Sequence, residues 1–182
     1  MGDRKRRRAA AKARLWAERL FARHLRHNRN FAEAGPRDCI IILDNLKPSF
    51  NVGKIFRSGD AFGIREIHLV GIDYFDAKSA KGSFKYVPAS FHNSFAECYE
   101  LLMARGYTLF VLEPEAELSL SEIQLPHKSA FIFGHEEFGI SFVKDEFDGL
   151  QGIFIPQVGK VNSLNVAVAA SVVMYEYVRQ HP

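Results

Sequence analysis

The sequence predicts an α/β domain built on a mainly parallel sheet and preceded by a basic helical arm. Three observations lead there. Short continuous apolar runs, the mark of buried parallel strands, alternate with stretches of helical spacing. The chain has 182 residues, about one ordinary domain. Its charge is split: residues 1–31 carry eleven Lys and Arg against Asp3 and Glu18, whereas residues 32–182 carry thirteen against nineteen acids, so +9 and −6 sum to the net +3. With 47% apolar and 25% charged residues the composition is that of a globular domain, which excludes disorder for the bulk of the chain.

The elements follow in order. Residues 9–29 are rich in Ala, Leu and Arg and read as helix, with Trp16 and Leu20, then Phe21 and Leu25, forming a narrow apolar stripe. The segment 31–38, ending Gly35-Pro36-Arg37-Asp38, breaks that helix. Cys39–Leu43 reads as a buried strand and Asn51–Phe62 as a helix. Glu66–Val70 reads as a strand closed by Gly71, and Phe91–Arg105 as a helix stopped by Gly106. Thr108–Leu112, Ser129–Phe133 and Gly152–Ile155 read as strands, the last two stopped by Gly134 and Pro156. The acidic run Glu113–Glu122 reads as a solvent-facing loop. Ser163–Arg179 is the last helix, apolar on most faces, with Ser163 or Asn162 as its cap.

Several functions are excluded by their own motifs. No stretch approaches the ~18 apolar residues of a membrane span, and the basic start lacks the apolar core of a secretory signal. Gly134 and Gly139 have the spacing of a phosphate loop, but the Lys-Ser/Thr that must follow is replaced by Ile140-Ser141. No GxGxxG or GxSxG is present. Cys39 and Cys98 lack CxxC spacing and read as inert buried thiols of a reducing, cytoplasmic setting. The seven histidines are scattered, so no metal is expected.

What remains is three polar clusters just past strand ends, where open α/β sheets bind ligands. The first is Asp44, Asn45, Asn51, Gly53 and Arg57, the second Gly134, His135, Glu136, Gly139 and Ser141, the third Pro156, Gly159, Asn162, Ser163 and Asn165. Taken singly, each reads as helix caps and turn glycines. Three in succession, each after a buried strand, point to one assembled site. The arm, with nine Arg and two Lys in its first 31 residues, suits phosphate contact, so a nucleic acid is the expected partner. Docking on the body is the alternative for the arm.

These clusters resemble the three motifs of the SpoU (TrmH-like) RNA ribose methyltransferases. Asn51-Val-Gly-Lys-Ile-Phe-Arg57-Ser-Gly-Asp-Ala-Phe-Gly63 is similar to the first and Phe133-Gly-His-Glu136-Glu-Phe-Gly-Ile-Ser141 to the second. Ile155-Pro-Gln-Val-Gly-Lys-Val-Asn-Ser163-Leu-Asn165-Val-Ala-Val-Ala closely resembles the third. His135 stands where the family usually has Asn. The resemblance covers residues 38–180, the bulk of the body.

The resemblance implies helices on both faces of the sheet, a C-terminal trefoil knot, a SPOUT methyltransferase domain at 38–182 behind a basic extension at 1–37, and a homodimer with its site near the interface. It implies S-adenosylmethionine held by Leu112, Glu113, Gly134, His135, Gly139, Ile155, Val161, Ser163 and Leu164. It implies methyl transfer to a ribose 2′-hydroxyl of tRNA, or of rRNA, with Asn51, Arg57, Glu136, Ser163 and Asn165 in the reaction. A guanidinium loses its proton only above pH ~12, so Arg57 is read as gripping phosphate and stabilising the developing alkoxide rather than as a base. Glu136 is read as orienting Arg57 or a loop amide, and Ser163 and Asn165 as holding the third loop and the nucleotide. RNA contact falls to Arg4, Lys5, Arg6, Arg7, Arg8, Lys12, Arg14, Lys54 and Arg57. A non-catalytic RNA-binding or assembly protein that kept the fold is the alternative.

Overall fold

A computed structural model describes residues 2–47, 50–160 and 163–182, with side chains of the first helix described at Arg6 and from residue 9 onward. The elements are α1 (Gly2–Phe31), β1 (Arg37–Asp44), α2 (Phe50–Phe62), β2 (Ile64–Val70), β3 (Ala89–His92), α3 (Phe95–Ala104), β4 (Thr108–Leu112), β5 (Leu118–Ser119), β6 (Ser129–Phe133), β7 (Gln151–Phe154) and α4 (Val166–Gln180). Seven strands form one sheet in the order β3-β2-β1-β6-β4-β7-β5, and every pairing between them is parallel. The expected mainly parallel α/β sheet is therefore present.

The run Cys39–Leu43 is continuous because both of its faces are covered. Cys39, Ile41 and Leu43 pack with Val52, Ile55 and Phe56 of α2 and Ala170, Val173 and Met174 of α4. Ile40 and Ile42 pack with Phe95, Cys98 and Leu102 of α3 on the opposite face. Burying each such side chain stabilises the fold by about 1.5–3 kcal/mol, and period-two alternation assigns neighbours to opposite layers.

The parallel registers align the strand ends. Leu43 lies beside Phe133, Val111 beside Ile132, and Leu112 beside Ile153. The C-terminal ends of β1, β4, β6 and β7 therefore share one edge of the sheet. β7 is inserted between β4 and β5, although the chain reaches β5 first. α4 then returns to pack on α2 and β1.

Three expectations are corrected. The helix expected at Phe91–Arg105 begins only at Phe95, where Ser94 caps it by accepting from Glu97 N; Phe91 and His92 belong to the edge strand β3. That strand is short and half-buried, so it carries no apolar run to betray it. The acidic segment 113–122 contains β5 and the buried Leu120. The last helix begins at Val166, and Asn165 caps it by accepting from Ala167 N.

α1 divides into two halves. Residues 9–16 are exposed, Trp16 among them, with Lys78 Nζ 5.9 Å from its ring. The second half docks. Phe21 is buried against Tyr74, Phe75 and Phe84. The buried Asn28 amide donates to the carbonyls of Phe84 (2.7 Å) and Val87 (2.6 Å) and accepts from Ala89 N (3.2 Å). Such complete pairing is what makes a buried amide tolerable.

Candidate functional site

A cavity of about 910 Å³ opens at the C-terminal ends of β4, β6 and β7. Its walls are the loop from Leu112 to Glu115, the segment from Phe133 to Ile140, the residues Ile153, Phe154, Ile155 and Gln157, and the start of α4 from Ser163 to Val166 with Ala169. Three loops and a helix N-terminus thus converge because the strands that feed them are parallel and adjacent.

The loop after β6 is folded back on itself. His135 N donates to Gly139 O (2.7 Å) and Gly139 N to His135 O (2.9 Å). Gly139 has φ +71°, and a Cβ on Gly134 would sit 2.4 Å from the Gly139 carbonyl carbon. Both glycines are therefore demanded by the turn. His135 Nδ1 accepts from Glu137 N (3.0 Å), so the imidazole holds its loop with a side-chain acceptor as an Asn can. At the far end of the loop, Ser141 donates through Oγ (2.7 Å) and through its backbone N–H to the fully buried Asp44 at the end of β1. Burial raises the Asp44 carboxyl above its ordinary value, and the two bonds from Ser141 oppose that rise.

A polar chain crosses from the first turn of α2 to α4. Asn51 Nδ2 donates to Glu136 Oε1 (2.9 Å), Asn165 Nδ2 donates to Asn51 Oδ1 (3.3 Å), and Asn165 Oδ1 accepts from Ala167 N (3.1 Å). Burial works against ionisation of Glu136. Hydrogen bonds from Asn51 and from the backbone N–H groups of Glu136 and Lys47, with the field of His135, outweigh it and hold the carboxyl below its ordinary value. Glu136, Ser163 and Asn165 line the cavity, and Asn51 reaches Glu136 and Asn165 from α2.

Arg57 stands apart. It is exposed on α2, six residues from Asn51 and so roughly 120° around the helix from it, and it is not part of the cavity wall. Among the described residues Arg57 makes no hydrogen bond to Glu136, whose partner is Asn51 instead. Within one chain the structure thus brings together four of the five expected reaction residues.

Of the expected cofactor contacts, Leu112, Glu113, Gly134, His135, Gly139, Ile155, Ser163 and Leu164 all line the cavity, and Val161 lies outside the described residues. Arg6, Lys12, Arg14 and Lys54 are exposed, Arg14 pairing with Glu18 (2.9 Å); the side chains of Arg4, Lys5, Arg7 and Arg8 lie outside the described residues. Sequence reasoning missed the wall residues Phe138, Ile140 and Gln157, and the Lys144–Glu113 ion pair (2.9 Å) beside the cavity. Glu113, the first residue past β4, is the one signal that could have pointed to that pair.

Comparison with known proteins agrees with this geometry. The sequence profile of the SpoU rRNA Methylase family matches residues 38–175. A tRNA (guanosine(18)-2'-O)-methyltransferase of Thermus thermophilus is 34% identical over 171 residues, spanning 90% of this chain and 85% of the relative. A 23S rRNA (guanosine-2'-O-)-methyltransferase of Xanthomonas axonopodis pv. citri is 31% identical over 176 residues, spanning 93% and 68%. The crystal structure of the SpoU methyltransferase AviRb from Streptomyces viridochromogenes in complex with the cofactor AdoMet superposes with a TM-score of 0.70 at 26% identity, covering 81% of this chain and 58% of that one. By its sheet, its assembled polar chain and this match over most of its length, the chain belongs to the SpoU rRNA methylase family.

Proposed function

We propose that this chain methylates a ribose 2′-hydroxyl of RNA with S-adenosylmethionine, tRNA being the favoured substrate and rRNA the runner-up. The observation that carries the reading is the Glu136–Asn51–Asn165 chain at the rim of a cavity built from three strand-end loops. The tRNA and rRNA methyltransferases among its relatives support the choice of substrate.

The cavity residues fit the cofactor. Polar groups of Glu113, Glu136, Ser163 and Asn165 stand in the cavity wall beside the apolar Leu112, Phe133, Ile155 and Leu164, a mixed lining that suits a charged sulfonium compound with polar and apolar parts. Leu112, Glu113, Gly134, His135, Gly139, Ile155, Ser163 and Leu164 would hold it. When bound, the cofactor supplies a methyl group on a positively charged sulfur. Held close and aligned, reacting groups gain up to ~7–11 kcal/mol over free encounter in the best cases, and alignment is what the Asn51–Asn165 lattice provides. Glu136, kept ionised, fixes the Asn51 amide so that its orientation does not fluctuate. Arg57 grips a target phosphate and stabilises negative charge developing on the ribose oxygen.

Because Arg57 lies off the cavity of its own chain, the proposal includes a homodimer in which the α2–α4 face meets a second copy. Val168 and Tyr175 of α4 are half or more exposed on that layer, with Tyr175 against Phe62 of α2. The proposal also includes the trefoil knot, supported by β7 lying between β4 and the earlier β5, and a division into a basic extension at 1–37 and a catalytic domain at 38–182. Among the described residues no helix is long and apolar enough to cross a membrane, and the free thiols of Cys39 and Cys98 suit the cytoplasm.

Transfer of labelled methyl groups from S-adenosylmethionine to total tRNA and to rRNA, followed by mapping of alkali-resistant linkages, tests the reading. Label in an alkali-resistant dinucleotide of tRNA is the expected result. Label in base methyl groups, or none in either RNA, overturns it.

A further inference from the structure

We propose that His68, His92 and Cys98 form a binding site for one divalent cation of the zinc class at the β3 edge of the sheet. The three are separated by 24 and 6 residues in sequence and converge through the fold. In the β2–β3 register, His68 lies beside Ser90 and Val70 beside His92, so the two histidines project from the same face. α3 covers that face and places Cys98 over them. His92 Nε2 lies 2.9 Å from His68 Nδ1, Cys98 Sγ lies 3.4 Å from the same nitrogen, and the three atoms all fall within 4.8 Å of one another.

The donor set and spacing match the cation. Two imidazoles and a thiolate are the ligands zinc prefers. With Zn–N near 2.0–2.1 Å and Zn–S near 2.3 Å, tetrahedral donors stand about 3.3 Å (N to N) and about 3.5 Å (N to S) apart. The observed 2.9 and 3.4 Å differ from those by a few tenths of an ångström.

Hydrogen bonding alone leaves the cluster incomplete. A neutral imidazole has one acceptor nitrogen, yet His92 and Cys98 both converge on His68 Nδ1. The other ring nitrogen, Nε2, is buried without a hydrogen bond; the nearest acceptor is Glu66 Oε2 at 3.5 Å. His68 is itself fully buried. A cation shared by the three removes the conflict, because small rotations of the side chains let all three donors ligate one positive charge in place of competing for one nitrogen. It also fixes the tautomer that turns Nε2–H toward Glu66, the carboxylate–histidine arrangement that supports metal-bound imidazoles. Arg105 Nη1, 2.6 Å from Glu66 Oε1, anchors that carboxylate. Three protein ligands leave a fourth tetrahedral position for water. The site is separate from the cavity, which lies at β6, β4 and β7. Its role is structural, clipping β2, the short edge strand β3 and α3 together.

Titration of the chelator-treated full chain with Co²⁺, read by visible and near-ultraviolet absorption, tests the site. The expected result is one equivalent bound per chain, with a thiolate-to-cobalt charge-transfer band that Zn²⁺ bleaches. Cys98→Ser, nearly isosteric, is expected to lose the band, and His92→Ala, at a half-exposed position, to bind at least about tenfold more weakly. Zn²⁺ is expected to raise the melting temperature of the wild-type chain and not that of His92→Ala. Failure of the wild-type chain to bind one equivalent, or a band that persists in Cys98→Ser, overturns the proposal.

Discussion

The side-chain amide of Asn51 bridges a carboxylate oxygen and an amide nitrogen on different segments, donating to Glu136 Oε1 at 2.9 Å while its own oxygen accepts from Asn165 Nδ2 at 3.3 Å. Three segments distant in sequence are thus tied by a residue that both donates and accepts. An aspartate cannot do this: Asn51→Asp places a carboxylate against Glu136 and removes the donor.

Methyl transfer by Asn51→Asp is expected to fall by about 10²-fold, a loss of preorganised hydrogen bonding, with cofactor affinity little changed. The pH profile follows from the direction of the Glu136 shift. Its carboxyl is held low, so the ionised form persists as pH falls and is lost only below the ordinary carboxylate range. Asn51→Ala removes the principal hydrogen bond holding it there, so the acid limb of the kcat profile is expected to move to higher pH. An acid limb that stays in place would show that Glu136 ionisation does not control the reaction.

Asp44 and Ser141 make a different prediction. Burial raises the Asp44 carboxyl, and the Ser141 bonds oppose that rise. A carboxyl raised in the folded state contributes stability that is complete below its unfolded value and is lost as pH rises through the folded one. The stability that wild type holds over Asp44→Asn, which does not titrate at this position, is therefore expected to shrink as pH rises from about 4 through that window. A melting-temperature difference between the two proteins that is constant with pH contradicts the assignment.

Much of this was legible in the sequence because β1, β4 and β6 are buried on both faces and so read as unbroken apolar runs. The ends of β1 and β6, and with them Asn51, Gly134 and Glu136, followed from those runs; Ser163 and Asn165 come after β7, which is only partly buried, and were legible through the third motif instead. β3 was not legible, since an edge strand of four half-buried residues needs its partner β2 to define it. The link from Asn51 to Glu136 spans 85 residues and the meeting of His68 with Cys98 spans 30; no local pattern encodes either. The position of Arg57 off the cavity was hidden for a related reason: motif spacing places a residue on a helix but does not say which neighbour its face meets.

Gly134 packs directly on the returning segment of its own loop. A Cβ there would lie 2.4 Å from one backbone atom and 2.6 Å from two others of Gly139 and Ile140, none of which can rotate away. Gly134→Ala is expected to destabilise the fold by about 1–3 kcal/mol. By pushing the His135–Gly139 turn outward, it is also expected to weaken cofactor binding by about tenfold, equivalent to about 1.4 kcal/mol. Calorimetric titration with S-adenosylmethionine measures the second effect; unchanged affinity would mean that this loop does not hold the cofactor.

The two halves of α1 are separable. Removing residues 1–17 deletes seven Lys and Arg but leaves Phe21 and Asn28 in their seats. RNA affinity is expected to drop and its salt dependence to become shallower by about 0.7–0.9 for each phosphate that the arm no longer neutralises, with the melting temperature unchanged. Phe21→Ala is expected to do the reverse, costing about 3–5 kcal/mol of stability at little loss of electrostatic affinity. Equal salt slopes for full-length and truncated chains would assign the arm to docking alone.

Arg57 offers a test of whether the site is shared between copies. If the guanidinium acts at its own chain's cavity, a dimer pairing an Arg57→Ala chain with a Glu136→Ala chain has no intact site. If it acts across the interface, each mixed dimer regains one site of two: the cavity of the Arg57→Ala chain keeps Glu136 and receives Arg57 from the other copy. Random assembly makes half the dimers mixed, so co-expressed variants are expected to recover about a quarter of wild-type activity. Each variant alone is expected to be nearly inactive. The exposed seat of Arg57 on α2, outside the cavity wall, favours recovery; activity no higher than that of the separate variants would return Arg57 to its own chain and require α2 to shift when RNA binds.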